Sequence, residues 1–211
     1  MHDHWETVYH DRGATGVSWY QAEPRTSLDL IDGLGADPAT PVLDAGGGAS
    51  PLAAHLVARG FGDVTVVDLA ESALATARRG LGPGADAVTW IAADLLTWRP
   101  PRRYGLWHDR AVFHFLTDPA DRAAYLATLR AALAPGGAVV IGTFAADGPT
   151  HCSGLPVARY TPDELAAVLT AAGDLTVTGH DTERHRTPAG VRQPFTWVTA
   201  RRVPARRLSP R

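Results

Sequence analysis

Two rhythms of apolar and polar positions alternate along this chain. Short, near-continuous apolar runs occur at Val42-Leu43, Val64-Thr65-Val66-Val67, Val88-Thr89-Trp90-Ile91 and Ala138–Phe144. Short runs rich in β-branched residues and bounded by Gly, Pro or an acid predict buried strands. Between them, apolar residues recur at helical spacing: Leu28, Ile31 and Leu34; Leu52, Leu56 and Val57; Tyr125, Leu126, Leu129 and Leu133. The alanine-rich segment Glu71–Gly80 fits the same period. Strand and helix therefore alternate, which predicts an α/β domain on a mostly parallel sheet.

The remaining segments fit that frame. Tyr104–Asp109 predicts a fourth strand, and Arg110–Leu116 follows at the carboxyl edge of the sheet. Ala134-Pro135-Gly136-Gly137 stops the helix before it. Thr161-Pro162-Asp163-Glu164 supplies a cap, a first-turn Pro and a capping-box acid, so a helix should run from there to Gly173. Leu175–Gly179 and Phe195–Ala200 alternate and predict an antiparallel pair separated by a polar stretch. The loop Ala145–Tyr160 is long, and loops of that length are uncommon unless functional. In residues 1–23, Gly13 and Gly16 predict a loop or short helix rather than one long helix. Trp5, Tyr9, Trp19 and Tyr20 gather there, either as a strap on the domain surface or as a cover over a ligand. The expected division is an aromatic N-terminal lid over 1–24, one domain over 25–201, and a basic, disordered tail over 202–211.

Candidate chemistry sits where the strands end. The first strand closes on Asp44 and runs straight into Ala45-Gly46-Gly47-Gly48 before a helix. Glycines there admit unusual backbone angles and let a ligand lie against bare main chain. Two ligand readings compete. The dinucleotide fingerprint G-x-G-x-x-G finds Gly46, Gly48 and a later acid, Asp68, but Pro51 stands at the third glycine position. The other reading is Asp44-x-Gly46-x-Gly48. Asp68 ends the second strand and Asp94 follows the third, so three successive strand ends carry an acid. Such ends line one crevice in an α/β sheet. Acids there can also cap the next helix, but three in succession are hard to assign to capping alone.

Composition narrows the classes. At 211 residues, with 45% hydrophobic and 20% charged positions, a single ordinary globular domain is expected. A formal net charge of −2 argues against a general nucleic-acid binder. All 20 basic residues are Arg, which excludes a lysine base or Schiff base. One cysteine, Cys152, excludes an internal disulfide, and no metal site is expected. No apolar run reaches membrane-spanning length and the start lacks the pattern of a secretory signal, so a cytoplasmic location is expected.

Four pieces in order carry a resemblance: Val42-Leu43-Asp44-Ala45-Gly46-Gly47-Gly48, Val66-Val67-Asp68-Leu69, Ala93-Asp94-Leu95 and Leu133-Ala134-Pro135-Gly136-Gly137 before a strand. From about Arg25 to Ala200 the chain resembles the class I S-adenosylmethionine (SAM)-dependent methyltransferases. The Trp19-Tyr20 lead-in and the Cys152–Val157 loop resemble small bacterial members that carry only a generic family name. The resemblance implies a Rossmann-like, seven-stranded, mostly parallel sheet with helices on both faces and a C-terminal antiparallel hairpin. It implies SAM as cofactor and S-adenosylhomocysteine as product. It places Gly46, Gly47 and Gly48 along the methionyl part with Asp44 beneath. Asp68 takes the ribose hydroxyls and Leu69 the adenine face, while Asp94, with Leu95 beside it, takes the adenine amine. Arg110 runs beside cofactor and substrate. Ala45 and Gly47 depart from the commonest first motif, but both are small. His108-Asp109-Arg110-Ala111 stands where many amino-group DNA methyltransferases carry an N/D-P-P-aromatic signature. No cysteine follows the fourth strand, against cytosine-C5 chemistry.

Methyl transfer from a sulfonium asks mainly for proximity, with aromatic rings to stabilise the cation and exclude water. Trp19, Tyr20 and Phe144 are candidates. His114 and His108 are candidate bases where the acceptor starts protonated. A His in an apolar run such as Val112–Phe115 is more often a hydrogen-bonded packing residue. Phe144, Cys152, Arg159 and Tyr160 are expected to line the acceptor pocket. Three functions are weighed: a methyltransferase for a small molecule, a protein lysine or N-terminal methyltransferase, and a non-catalytic SAM-binding module acting through its Arg-rich tail. No nucleic-acid or membrane partner is expected, and the oligomeric state is left open.

Overall fold

Val42, Leu43 and Ala45 are fully buried because their strand is covered on both faces. The computed structural model describes residues 1–203, so the expected tail lies outside the described residues from 204 onward. The strands in chain order are β1 (Val42–Ala45), β2 (Val64–Asp68), β3 (Val88–Ala92), β4 (Tyr104–Arg110), β5 (Leu133–Phe144), β6 (His151–Cys152), β7 (Leu155–Pro156), β8 (Leu175–Arg186) and β9 (Arg192–Arg202). The helices are α1 (His2–Gly16), α2 (Arg25–Gly33), α3 (Leu52–Ala58), α4 (Glu71–Leu81), α5 (Pro119–Ala132) and α6 (Pro162–Thr170).

Seven strands form one sheet in the order β3-β2-β1-β4-β5-β9-β8. The first five are parallel, and β9 runs antiparallel to both its neighbours. The chain builds outward from β1 to β3, then crosses back to start again at β4. That reversal opens a crevice at the carboxyl ends of β1 and β4. Register sets what meets there: Asp44 pairs with His108, and Ala45 with Asp109.

Two cores cover the sheet. Leu43, Trp107, Tyr125, Leu129 and Leu165 belong to the layer under α5 and α6. Val42, Leu106, Leu28, Leu52, Leu56 and Trp197 belong to the layer under α2 and α3. Side chains alternate across a strand. The end of β4 therefore sends Trp107 and Asp109 toward α5, and His108 and Arg110 toward the other face.

The predicted strands and helices form with shifts of one to three residues at most ends. The capping box is present at Thr161 and Glu164. Four segments differ more. Residues 2–16 are helical, with the chain broken only at Gly13 (φ 64°, ψ 178°). The loop Ala145–Tyr160 holds the small ribbon β6–β7. Pairing of β5 with β4 begins at Leu133, across a bulge, because the Pro-Gly-Gly stop re-enters the sheet at once. The polar stretch between the last two predicted strands is itself strand, paired through Arg186 and Arg192. An edge strand needs backbone partners on one side only, so its side chains can be polar without loss.

A buried polar network fixes the tip of β4. Tyr125 accepts from Trp107 Nε1 at 2.9 Å and donates to Asp109 Oδ2. Asp109 also accepts from the Val112 and Phe113 backbone N–H groups at 3.0 and 3.1 Å. Those bonds hold the turn in which Ala111 takes a positive φ of 70°. Burial raises the Asp109 carboxyl to about 6, against the pull of those donors. Tyr125→Phe removes one acceptor and one donor from a dry site. We expect a loss of about 2 kcal/mol in urea unfolding; an unchanged midpoint would remove this network from the account of the β4 tip.

Candidate active site

The turn after β1 is packed on every side. Gly46 and Gly48 have φ of 68° and 52°, a region that favours glycine. A Cβ at Gly46 would lie 2.0 Å from Val112 Cγ2, and one at Gly48 would lie 2.3 Å from the Tyr9 hydroxyl. One at Gly47 would meet Asp44 Oδ2 at 2.4 Å. Gly46 and Gly47 line an adjoining cavity of about 190 Å³.

The three strand-end acids differ in setting, though each lines this cavity. Asp44 is buried and accepts from His108 Nδ1 at 2.7 Å. A carboxylate only accepts, so Nδ1 carries the proton and Nε2 takes the Ser27 hydroxyl at 2.9 Å. Asp68 Oδ1 accepts from the Ala70 backbone N–H at 2.8 Å. Enclosure away from water raises its carboxyl to about 6, with the charge of Asp44 pushing the same way. Asp94 is exposed and accepts from the Leu96 backbone N–H at 2.9 Å. Leu69, Leu95 and Leu96 give the apolar walls between Asp68 and Asp94.

α1 roofs the cavity. Trp5 meets Trp19 and Phe115 edge-on, with ring centroids 5.8 and 4.9 Å apart, and Tyr9 meets Trp19 at 6.1 Å. Glu6 accepts from the Ser72 backbone N–H at 3.3 Å, which supplies the first turn of α4 with the cap it lacks locally. The segment after α1 is tied down from the other side. His185 Nε2 bonds the Ser18 carbonyl at 2.7 Å, Arg110 Nη1 donates to the Trp19 carbonyl at 2.8 Å, and Gln21 Nε2 donates to Glu183 at 2.5 Å. Trp19 and Tyr20 line the cavity.

Other expected residues lie elsewhere. Phe144, Cys152 and Tyr160 are buried in the cores and Arg159 is exposed; none lines this cavity. Cys152, expected in the acceptor pocket, is turned inward by the β6–β7 ribbon into the core that holds Phe144 and Val157. Burial pushes the Cys152 thiol up to about 11, away from the nucleophilic thiolate. His114 is fully buried, and its Nδ1 accepts the Phe144 backbone N–H at 3.3 Å. Desolvation and the nearby Arg110 charge push this ring down to about 3, so it stays neutral. His108 lines the cavity, yet its acceptor nitrogen is engaged by Ser27. Neither histidine holds out a free lone pair, the requirement for the base role expected of both.

Two participants were not legible beforehand. Ser27 sits one turn before Ile31 on the apolar face of α2, and that placement was the available signal. Glu183 lies in the polar stretch of β8, where nothing marked it. Among the described residues no group of three His, Cys, Asp or Glu is placed to hold a metal ion. No described helix is long and apolar enough to cross a membrane.

Comparison with known proteins agrees with this geometry. A family model described as "Methyltransferase domain" matches residues 42–137, which span β1 to the start of β5. No curated protein matches the sequence significantly. Among solved structures, the Burkholderia thailandensis 1,6-didemethyltoxoflavin-N1-methyltransferase, with 1,6-didemethyltoxoflavin and S-adenosylhomocysteine bound, is 26% identical. That match covers 96% of this chain and 83% of the other, with a TM-score of 0.67. A protein solved in a study of the conversion of a disulfide bond into a thioacetal group during echinomycin biosynthesis is 22% identical, with coverage of 96% and 93% and a TM-score of 0.74. The N-methyltransferase NodS from Bradyrhizobium japonicum, in complex with S-adenosylhomocysteine, is 18% identical, with coverage of 93% and 97% and a TM-score of 0.70. These last two show the fold. The chain carries a methyltransferase domain over residues 42–137, and its sheet order and glycine turn are those of the SAM-dependent methyltransferase fold.

Proposed function

We propose that this enzyme methylates a small molecule. The observation that carries the reading is the roof: α1 and the Trp19 segment cover the crevice and narrow it to a cavity of about 190 Å³, a shape suited to a small acceptor rather than to a protein substrate lying in a wide groove. The toxoflavin-precursor enzyme, 26% identical, acts on a small molecule by its name.

The residues fit SAM. The cradle at Gly46–Gly48 has no space for side chains, and Asp68 is an enclosed carboxylate with acceptor capacity left over. Asp68 accepts the two ribose hydroxyls, Asp94 accepts the adenine amine, and Leu69 and Leu95 flank the base. Asp44 faces the methionyl end, with His108 and Ser27 holding its orientation. When bound, SAM supplies a methyl group on a sulfonium, and the carbon–sulfur electron pair stays with sulfur as the acceptor's lone pair takes the methyl. This chain's part is to align the acceptor and keep water out, which is worth up to roughly 7–11 kcal/mol in the best cases. With both histidines engaged, neither takes a proton from the acceptor. The rings of Trp5, Trp19 and Phe115 supply the water-excluding wall.

The function is tested with methyl-labelled SAM, purified protein and cell extract. We expect the label in the small-molecule fraction; label confined to a protein band would move the assignment to a protein methyltransferase.

Asp68 gives a pH prediction. Its carboxyl stands at about 6 against an ordinary 3.8. The ionised form accepts both hydroxyls and the protonated form does not. SAM affinity should therefore hold above about pH 6 and fall as pH drops through it, approaching tenfold per unit below. Asp68→Ala should lose two charge-assisted hydrogen bonds, each worth about 1.5–3 kcal/mol, and flatten that profile. Calorimetric affinity unchanged in a folded Asp68→Ala protein would refute the ribose role.

The roof gives another. Residues 18–21 are bolted to β4 and β8, so opening falls to α1, with Gly13 as hinge. We expect S-adenosylhomocysteine to slow amide exchange across α1. Deletion of residues 1–13 should abolish turnover while the core still melts cooperatively. A truncated enzyme with full activity would leave α1 a surface strap.

A further inference from the structure

We propose that the outer edge of β8 at Arg184–Arg186 is a docking site for an extended acidic segment of a partner protein, which joins the seven-stranded sheet there as a further strand. The site lies apart from the cofactor cavity and goes beyond the methyltransferase reading.

β8 is the last strand of the sheet, so one side of it has no neighbouring strand. Where the β8–β9 hairpin turns, the Thr187 N–H donates to the Val191 carbonyl at 2.9 Å. Main-chain groups alternate between the two sides of an antiparallel strand. Glu183 and His185 therefore bond toward β9, and the N–H and C=O groups of Arg184 and Arg186 point out from the edge. These outward groups have no hydrogen-bond partner among the described residues. At Thr182 the outward N–H is taken by the Asp181 carboxylate at 2.7 Å, so the open stretch ends there. Beside it runs a groove of about 500 Å³ lined by residues 20–23 and 183–186. A strand edge with a groove alongside is the geometry in which an added peptide pairs through its main chain.

Charge names the partner. Arg184 and Arg186 are exposed and lie two apart, so they share one face of β8. Arg192, also exposed, pairs directly across from Arg186 and sets like charges opposite each other at a cost. The acids of the groove do not offset them. Glu23 meets Arg25 at 2.7 Å. Glu183 stands beside Arg110 and accepts from Gln21 and Trp197. Three guanidinia of one sign repel a second β8 edge, and equally the chain's own residues 205–211, whose charged side chains are all Arg. A strand with acids at alternate positions meets no such barrier, because opposite charges across adjacent strands attract. Val191, 58% exposed in the hairpin turn, adds an apolar contact that suits a protein segment rather than a chain of phosphates. On the other face of the same strand, Glu183 and His185 hold Gln21 and Ser18, so the partner lies against the support of the roof.

The test is fluorescence anisotropy on the full chain with two labelled pentapeptides, blocked at both ends: threonine alternating with glutamate, and threonine alternating with lysine. We expect the glutamate peptide to bind at least about tenfold more tightly than the lysine peptide. Arg184→Gln combined with Arg186→Gln should erase that preference while S-adenosylhomocysteine affinity stays within about twofold. Arg184→Pro suits an edge position, since the ladder to β9 does not use that N–H. It should bind the glutamate peptide severalfold more weakly than Arg184→Gln. Equal binding of the two peptides, or no binding of either, overturns the proposal, and so does an Arg184→Pro protein that matches Arg184→Gln. A single-stranded oligothymidylate that binds more tightly than the glutamate peptide also overturns it, since the site would then serve phosphates. Should the variants fail to fold, amide exchange in the unmodified chain decides. The glutamate peptide should slow exchange at the Arg184 and Arg186 N–H groups, and unchanged exchange there overturns the added strand.

Discussion

Unneutralised negative charge in an enclosed space is the constraint on which this structure turns. Asp44 and Asp68 face one cavity from adjacent strand ends, and the charge of Asp44 raises the cost of ionising Asp68. Enclosure, with the charge of Asp44 added, outweighs the backbone donors and lifts Asp68 to about 6. Such a pair is stable as two carboxylates only when a cation or several hydrogen-bond donors face it. SAM brings both: a sulfonium and an ammonium for charge, and ribose hydroxyls as donors. The preference for this cofactor over a dinucleotide follows from electrostatics as much as from shape. A pyrophosphate beside these acids would meet like charge.

The acids stay in place because one strand serves both faces of the sheet. At the tip of β4, His108 points to the α2 side and Asp109 to the α5 side. His108 bridges Asp44 and Ser27, so the orientation of the first acid depends on where α2 packs. Asp109, through Tyr125 and Trp107, holds the backbone turn that brings Val112 against Gly46. Two cores on opposite faces therefore converge on the same few residues. A repacking of α2 or α5 would reach the glycine turn without touching it directly.

What was legible in the sequence is what local pattern determines. Asp44, Asp68 and Asp94 could be placed because each follows a short apolar run, and strand ends share one edge by topology. Thr161 and Glu164 marked a helix start because a cap is a local hydrogen-bond motif. Ser27 and Glu183 escaped because their roles depend on partners 81 and 162 residues away in the chain. Cys152 and Phe144 were misplaced for the converse reason. A long loop with a cysteine suggests a pocket wall, yet the β6–β7 ribbon folds those side chains into the core. The helix over residues 2–16 was underestimated because it lacks an apolar stripe; Val8 is its one buried residue. Its stability comes from docking onto α4 and the Trp19 ring, which periodicity does not record.

That weak docking bears on how the enzyme can turn over. Exchange of ligand beneath a roof calls for some element to open, and the element that opens should be the one with the least buried surface. α1 qualifies. It contributes one buried residue, three edge-on ring contacts and the Glu6 bond to α4. The segment behind it is anchored by polar bonds from Ser18, Trp19 and Gln21 to β4 and β8. Opening can therefore be confined to the helix, while Trp19 keeps its place against the site. One of those anchors is Arg110, whose Nη1 donates to the Trp19 carbonyl while its guanidinium is buried over Phe195.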